Sequence, residues 1–397
     1  MDKLLIKNLK DIPYGARVLT LATAIRWIGW GFAENLIPVL IFSFGSSFAE
    51  AGLIKSAYDV AVILTLPILG MAADRMRATT LIIAGLIIYL FIGSSYFLAG
   101  ATGLVIFIVL ARLLNGVSYA LDSIGRETYI RHHAPAGKLA MVFGYFDTVA
   151  NFWWIVAALA GIPLLAFIPV HSLLFLITPT SLISLVIVWR FRKHGEEDAL
   201  VRIREAHGSD VSIKKMADWN WKLRGLAMFN FFVSFAGAIV IFFLPIEAYT
   251  QGASLGLVVV IGIVSALPAL LGWTLGKWFD TKGTSAFGYG LLAFGALLFC
   301  LAFLNSYGWM LAISFLVGVV LELLSVGSNE LMTVNTNPEH FGRVGGIMRS
   351  IGNLGSLAGP LAAGIAIDSF GLYATFLSLS ILMFALYAAF SVVRHIR

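Results

Sequence analysis

Ionisable side chains that interrupt long apolar runs are the residues of this sequence best placed to do chemistry. Arg26, Trp30 and Glu34 lie in the first such run at steps of four, so a helix places them near one face. A charge inside an apolar helix of membrane length costs at least about 2.5–3.5 kcal/mol, a cost that neutral residues would avoid. These residues are therefore candidates for handling a proton or a polar solute.

The same criterion selects polar residues in the later runs. Asp59 follows Lys55 by four residues, and we expect the two charges to neutralise each other. Glu322 is expected to bond with Arg349, and Asp147 is the alternative partner of that arginine. The remaining candidates are Arg112, Asn115 and Tyr119 on one helical face, and Asn151, Asn230 and Asn353 in other runs.

Composition predicts a membrane protein. Of the 397 residues, 59% are hydrophobic and 12% are charged, whereas roughly 25% of residues are charged in soluble proteins. Twelve apolar runs are long enough to cross a bilayer as helices, and no alternating β-barrel pattern is visible. The predicted fold class is an all-α integral membrane protein. The predicted spans are approximately 18–42, 48–72, 79–99, 103–125, 139–163, 167–189, 225–248, 253–275, 285–304, 308–329, 343–367 and 371–393.

A charged segment separates the first six spans from the last six. It runs from Arg190 to Arg224 and contains nine Lys/Arg and six Asp/Glu. The sequence therefore predicts an N-terminal six-helix bundle at 1–189, a cytoplasmic linker at 190–224 and a C-terminal six-helix bundle at 225–397.

The distribution of positive charge predicts the orientation. With the N-terminus in the cytoplasm, the inner segments hold 23 of the 27 Lys/Arg, and the outer loops hold none. Both termini are then cytoplasmic in a multi-pass protein of the cell (cytoplasmic or inner) membrane. This pattern accounts for the net charge of +6 and makes a nucleic-acid partner unnecessary.

Two loop motifs show that the chain is an internal repeat. The motifs are Gly70-Met-Ala-Ala-Asp74-Arg75-Met-Arg77 and Gly276-Lys-Trp-Phe-Asp280-Thr-Lys282-Gly283. Their aspartates lie 206 residues apart, about half the chain, and Glu127 and Glu330 repeat at an offset of 203. Two halves with the same orientation form a parallel repeat about an axis along the membrane normal.

The first loop motif, the six-plus-six spans and the charged linker resemble the major facilitator superfamily. Arg112-Leu-Leu-Asn-Gly116 in the fourth span is similar to that family's Arg-x-x-x-Gly motif. The resemblance covers the whole chain and implies a fold of two pseudo-symmetric six-helix bundles. The fifth span departs from the drug-antiporter subgroup, because Trp153 and Trp154 stand near the place of its glycine-proline motif.

The resemblance also implies a cytoplasmic gate built from the two loop motifs. Asp74 would face the start of the eleventh span near Arg343, and Arg75 or Arg77 would pair with Glu127. In the duplicate, Asp280 would face Lys138, and Lys277 or Lys282 would approach Glu330. The alternative is that both loops simply cap helices and follow the inside charge bias. We favour the gate because the glycine and the aspartate of the first loop, Gly70 and Asp74, recur in the second loop together with a distant glutamate.

In the family that the chain resembles, spans 1, 4, 7 and 10 line the cavity. Glu34 and Arg112 would then lie at similar depth across it, and we expect them to pair. A movement of Arg112 would change the proton occupancy of Glu34. A static salt bridge that only closes the helix packing is the alternative.

These features favour a secondary active transporter of a small organic solute that works by alternating access and is coupled to protons. The alternatives are a drug or metabolite efflux antiporter and an uncoupled facilitator. An enzyme would need a nucleophile–base pair, a metal cluster or a phosphate loop, and the sequence has none of these patterns. We expect no cofactor and no metal site, and a monomer in the lipid bilayer.

Overall fold

The described part of the chain is helical throughout and contains no strand. Apolar runs in a bilayer form helices because each backbone group must find its hydrogen-bond partner within the segment. The predicted all-α fold class is therefore confirmed. The computed structural model describes residues 12–45, 47–73, 76–135, 139–194, 221–271, 275, 278–279, 281–303, 306–336 and 341–395.

The described residues of the first half form eight α-helices. They are α1 (Tyr14–Gly31), α2 (Ile37–Phe44), α3 (Phe48–Ala73), α4 (Ala78–Thr102), α5 (Val105–His133), α6 (Leu139–Leu164), α7 (Val170–Leu174) and α8 (Ile177–His194). A 3-10 turn at Glu34–Leu36 separates α1 from α2. The predicted first span, 18–42, is therefore not one continuous α-helix.

The described residues of the second half form five α-helices. They are α9 (Trp221–Thr250), α10 (Leu255–Ala266), α11 (Thr284–Leu301), α12 (Tyr307–Val334) and α13 (Phe341–His395). A 3-10 helix, Leu267–Leu271, continues α10. Within α13, Gly371 has φ 83° and ψ 164°, which interrupts the helical backbone. Glycine is favoured at this position because L side chains rarely adopt positive φ. The interruption lies where the predicted spans 343–367 and 371–393 meet.

Nine of the described helical segments are long and apolar enough to cross a membrane, and Leu255–Leu271 is a shorter apolar helix. The longest, Val344–Val392, contains the interruption at Gly371. The chain is thus a multi-pass helical protein, and the number of twelve spans stays a prediction.

The chain divides into two compact units. The first unit comprises Met1–Leu40 and Val60–Glu205, and the second comprises Ile41–Asp59 and Ala206–Arg397. The second boundary falls inside the predicted linker. Residues 41–59 group with the C-terminal part of the chain, although the sequence places them among the first six spans. The border at residue 59 falls inside α3, which continues through it as a helix.

In the first unit, α4 packs along α5, and α1 packs against both α6 and α8. Glycine permits the close approach of α6 to the end of α1, because a Cβ at Gly161 would overlap the carbonyl oxygen of Phe32. Ile12, Ala16, Ile130 and Val142 form a buried hydrophobic cluster in this unit.

In the second unit, α9 packs along α13, and α11 packs against α12 and α13. Gly355 and Gly359 lie against the backbone carbonyls of Phe231 and Phe235, so the two backbones approach closely. This contact confirms the close-packing role expected of glycines four residues apart in a membrane helix. Ser380 adds a hydrogen bond from its hydroxyl to the carbonyl oxygen of Gly295, 2.8 Å long.

Two glycines of α6 provide a test of this packing. Gly161→Ala should lower the stability of the purified protein by about 1–3 kcal/mol, because the new methyl group forces α1 and α6 apart. Gly144→Ala is the matched control, since open space surrounds that position and alanine is the better helix former. Thermal unfolding in detergent measures both. Equal melting temperatures for the two variants would contradict the assigned packing of α1 on α6.

Candidate functional site

A buried carboxylate shared by two arginines lies at the centre of the first unit. Asp122 of α5 accepts a hydrogen bond from Arg26 Nη2 at 2.8 Å and another from Arg126 Nε at 2.7 Å. The three residues are between 3% and 5% exposed. Two positive charges and one negative charge therefore share a site without bulk water, and Asp122 ties α1 to α5.

Arg126 extends this network to the backbone of α1. Its Nη1 donates to the carbonyl oxygen of Leu19 at 2.9 Å and to the hydroxyl of Thr23. The predicted fourth span ends at about residue 125, just before Arg126. The helix α5 continues to His133, and Arg126 lies inside it, one turn after Asp122.

Arg26 and Trp30 pack on a tyrosine of α4. The guanidinium carbon of Arg26 lies 4.3 Å from the ring centroid of Tyr89, a cation–π contact. The Trp30 ring meets the same tyrosine edge-on at 6.1 Å. Trp30 is buried, with 5% of its surface exposed. Within the first unit this side of α1 is thus part of the core.

Glu34 lies beyond the end of α1, in the 3-10 turn. The α-helix cannot run through this point undisturbed, because Pro38 has no N–H for the carbonyl of Glu34 and its ring crowds that carbonyl. The carboxylate Oε2 of Glu34 accepts a hydrogen bond from Trp154 Nε1 of α6 at 2.6 Å. Arg112 and Arg26 both interact with Glu34 electrostatically.

The structure therefore brings Glu34 and Arg112 into one electrostatic environment. Arg112 and Asn115 of α5 are each 9% exposed, whereas Tyr119 is 45% exposed. The hydroxyl of Ser118 donates to the carbonyl oxygen of Asn115 at 3.1 Å. A direct ion pair between Glu34 and Arg112, and its functional role, stay predictions.

On α6, Asp147 and Asn151 lie one turn apart. Asp147 is exposed and Asn151 is half-buried. The amide nitrogen of Asn151 donates to the carbonyl oxygen of Asp147 at 2.8 Å, so this amide supports its own helix. Within the first unit, the carboxylate of Asp147 remains available to solvent.

In the second unit, the predicted pair of Lys55 and Asp59 is confirmed. Lys55 Nζ lies 2.6 Å from Asp59 Oδ2, and the two side chains are 13% and 7% exposed. The same Nζ donates to the backbone carbonyl oxygen of Ser356 in α13 at 2.9 Å. The lysine therefore bonds to its own helix and to a second helix at once.

The other candidates of the second unit lie on α9, α12 and α13. Asn230 Nδ2 donates to the carbonyl oxygen of Met348 at 2.8 Å, which joins α9 to α13. Glu322 and Asn353 are half-buried and Arg349 is exposed. The expected bond of Glu322 with Arg349, and the alternative bond with Asp147, stay predictions.

The cytoplasmic gate stays a prediction as well. Asp74, Arg75 and Asp280 lie outside the described residues, as does the side chain of Arg343, and Gly70 lies in the last turn of α3. Arg77 is exposed and precedes α4, and Lys282 is exposed at the second loop. Glu127 bonds with Arg131 at 3.4 Å across an exposed turn of α5. Glu330 is half-buried in α12.

For three residues the structure shows surroundings that the sequence did not predict. Asp122 is the shared carboxylate, and its position one turn before Arg126 was a usable signal. Trp154 holds Glu34, but the contact spans 120 residues of sequence and no pattern signals it. Asn35 has a buried amide nitrogen without a hydrogen-bond partner among the described residues. No group of three His, Cys, Asp or Glu that could hold a metal ion occurs in that part of the chain.

Comparison with known families gives a match over most of the chain. The sequence profile of the Major Facilitator Superfamily matches residues 19–355 and, in a second overlapping segment, residues 284–396.

Individual relatives are more distant. The Quinolone resistance protein NorA of Staphylococcus aureus (strain MSSA476) is 22% identical over 363 residues, which cover 86% of this chain and 87% of NorA. The crystal structure of the nucleoside transporter NupG superposes with a TM-score of 0.76 at 14% identity and covers 96% and 99% of the two chains. The crystal structure of a bacterial homologue of the human lysosomal transporter Spinster, inward-facing and unoccupied, superposes with a TM-score of 0.76 at 15% identity and covers 95% of both chains. These structures support the fold.

The shared carboxylate leads to a stability prediction. Asp122→Asn should destabilise the protein by about 3–5 kcal/mol, because two guanidinium groups are then left in a buried site without their anion. Adding Arg26→Gln should restore part of the loss, so the double variant should be more stable than the sum of the single losses predicts. Unfolding in detergent measures all three.

Glu127→Gln is the matched control on the same helix. Its pair with Arg131 is exposed, so its loss should cost no more than about 1 kcal/mol. If Asp122→Asn were as mild as this control, the carboxylate would not hold α1 to α5.

Proposed function

This chain belongs to the major facilitator superfamily of membrane transporters, and we propose that it moves a small organic solute by proton-coupled alternating access. In this proposal Glu34 carries the coupling proton and Arg112 is the charged group that responds to it. Glu322, Arg349 and Asn353 would serve the solute from the second unit. The observation that carries the proposal is the environment of the Glu34 carboxylate.

Glu34 is a carboxylate whose hydrogen-bond donor is neutral. The indole of Trp154 bonds to Oε2, so a proton can be added to the other oxygen without breaking that bond. Because Glu34 lies at an interruption between two helices, its backbone is not fixed by a continuous α-helical ladder. A movement of Arg112, or the binding of a solute, would then change whether Glu34 is protonated.

Asp122 provides the contrast within the same unit. Protonating it would weaken bonds to two arginines at 2.7–2.8 Å. Buried ion pairs of this kind are costly to break. Of these two acids of the first unit, Glu34 is therefore the better proton carrier, and Asp122 is a positioning group that holds α1 and α5 together.

A polar solute would find unused hydrogen-bonding capacity next to Glu34. The buried amide nitrogen of Asn35 can donate a hydrogen bond, and Asn115 and Arg112 of α5 are further buried polar groups of this unit. Buried polar groups usually have partners, so a solute oxygen is a suitable acceptor for Asn35.

Efflux by proton antiport is the second candidate. The observation that favours it is the similarity to a protein named for quinolone resistance.

We further propose that the protein is a monomer in the cell membrane. We place both termini in the cytoplasm because of the distribution of its positive charges.

The coupling can be tested in proteoliposomes that hold a trapped pH dye. A proton gradient is imposed, and a fluoroquinolone, a nucleoside, a sugar, an amino acid, an organic acid and a cationic dye are added one at a time. We expect one of these probes to cause a change of internal pH, and we expect Glu34→Gln to abolish that change because an amide cannot carry the proton. Glu247→Gln, at the exposed end of α9, is the control.

The sign of the pH change distinguishes the two candidates. Entry of a probe with internal acidification indicates symport, and entry with internal alkalinisation indicates antiport. Probe flux that is equal in both proteins and leaves the pH constant would make Glu34 a structural residue and the protein a facilitator or a carrier of another ion.

A further inference from the structure

The start of α1 packs against the end of α8 in the first unit. A Cβ at Gly15 would come 2.8 Å from the ring of Phe191. Seven residues later on α1, the carbonyl oxygen of Ala22 accepts a hydrogen bond from Ser184 Oγ at 2.6 Å. Ser184 precedes Phe191 by seven residues, so the contact advances by two turns on each helix in opposite directions. The two helices are therefore antiparallel.

Antiparallel packing decides which neighbouring side chains share a side. Seen from one end, consecutive side chains turn in opposite senses on two antiparallel helices. The residue just before each contact residue therefore lies on the same side of the contact. These residues are Tyr14 and Leu21 on α1, and Ile183 and Arg190 on α8. Their exposure agrees, because the first three are 67%, 54% and 51% exposed and the arginine is exposed as well.

Two further residues extend these exposed faces. Arg17 follows Tyr14 by three residues, and Val186 follows Ile183 by three, so each pair shares a helix face. Arg17 is exposed, and Val186 is 42% exposed. We call the six residues together the α1–α8 surface: Tyr14, Arg17, Leu21, Ile183, Val186 and Arg190.

The two ends of the α1–α8 surface differ in chemistry. Its two arginines and its tyrosine lie near the start of α1 and the end of α8. Its leucine, isoleucine and valine lie one to two turns further into the same apolar spans. Tyrosine and basic residues are typical of the level of the lipid headgroups, and exposed aliphatic residues are typical of the level of the acyl chains. The surface thus has the polar-to-apolar order of a phospholipid.

The charge of Arg17 is not balanced within the described residues. No ion pair there joins Arg17 to an acid, and its guanidinium carbon lies 6.0 Å from the ring centroid of Tyr14. A cation in the first turn of a helix is disfavoured by the helix dipole, so Arg17 does not serve α1 itself. Neither α1 nor α8 contains Asp or Glu. An anion from the surroundings is therefore the suitable counter-charge.

An anionic phospholipid satisfies both ends of this surface. A guanidinium group binds phosphate oxygens through paired N–H donors, and basic residues beside a membrane span attract anionic lipids. A free phosphate ion would use only the arginines and leave the apolar end in contact with other lipids. The positive-inside rule is the simpler explanation of the arginines. That rule acts during insertion and predicts no selectivity for a lipid in the folded protein.

We propose that the α1–α8 surface binds one anionic phospholipid, with the phosphate at Arg17 and Arg190 and an acyl chain along the three aliphatic side chains. The bound lipid would hold α1, the helix that carries Arg26, against α8. The proposal does not depend on the proposed transport function, so a failure of proton coupling would leave it intact.

Native mass spectrometry tests the proposal directly. The purified protein in micelles of a non-ionic detergent is titrated with phosphatidylglycerol or with phosphatidylcholine of the same acyl chains. The first lipid has a net negative charge and the second has none. We expect the first molecule of phosphatidylglycerol to bind roughly tenfold or more tightly than phosphatidylcholine, because each arginine near an anionic lipid contributes about a factor of five.

Paired charge variants locate the selectivity. Arg17→Gln with Arg190→Gln should weaken phosphatidylglycerol binding roughly tenfold, whereas Arg17→Lys with Arg190→Lys should keep most of the affinity because the charge remains. The matched control is Lys222→Gln with Arg224→Gln. It removes two exposed charges at the start of α9, beside the exposed Trp221. This control should stay within about twofold of the unmodified protein.

Paired apolar variants test the acyl-chain end without changing any charge. Ile183→Ser should weaken phosphatidylglycerol binding roughly threefold, because a polar group replaces an aliphatic contact. The matched control is Leu182→Ser. Leu182 has nearly the same exposure, 50% against 51%, but the helical rotation turns it away from the α1 side. Both variants keep the charges that set membrane orientation, so this pair tests the surface even if the arginine variants fail to insert.

Four results would overturn the proposal. Equal affinity of the unmodified protein for the two lipids would show that there is no selectivity. An equal loss in the Arg17/Arg190 and Lys222/Arg224 glutamine variants would reduce the effect to a general attraction towards positive charge. Displacement of phosphatidylglycerol by millimolar inorganic phosphate would indicate a site for a free anion. Equal effects of Ile183→Ser and Leu182→Ser would remove the acyl chain from this surface.

Discussion

The carboxylate of Asp122 is the constraint on which the first unit depends. It holds Arg26 of α1 and Arg126 of α5 at 2.7–2.8 Å, in a site where an unpaired charge would be costly. Arg126 in turn bonds to the backbone of Leu19. The position of α1 relative to α5 is therefore set by ion pairs and by hydrogen bonds to backbone. Glu34, the proposed proton carrier, lies just beyond the end of α1, the helix that these bonds hold in place.

In both units, a proline that interrupts a helix lies next to a polar contact with another helix. Pro38 ends the α-helical ladder of the first run and leaves Glu34 in a 3-10 turn facing Trp154. Pro360 of α13 has no N–H for the carbonyl oxygen of Ser356, and Lys55 Nζ donates to that oxygen instead. In a membrane interior, where water does not satisfy backbone groups, the backbone groups that an interruption frees need partners within the protein. The proposed proton carrier, Glu34, thus lies where the regular backbone hydrogen bonding is interrupted.

Much of this arrangement could be predicted from the sequence. The membrane-length apolar runs gave the helices, and the loop motifs led to the family that the profile match shows. The pair of Lys55 and Asp59 follows from helical spacing alone. The bond from Trp154 to Glu34 could not be foreseen, because it joins residues 120 positions apart and depends on how α6 rotates against α1. The predicted fourth span stops before Arg126 because a charged residue usually marks the end of a span. Here Asp122 neutralises that charge inside the helix.

The distance along the chain between Arg26 and Asp122 has a consequence for biosynthesis. The two residues are 96 positions apart, so α1 leaves the ribosome with a positive charge whose partner has not yet been made. At about 5–20 residues per second, the partner follows roughly 5–20 seconds later. An unpaired arginine at mid-membrane is unfavourable by at least about 2.5–3.5 kcal/mol, so the first helix has reason to remain near the translocation machinery or the membrane surface until α5 arrives. The order of membrane integration would then differ from the order of synthesis.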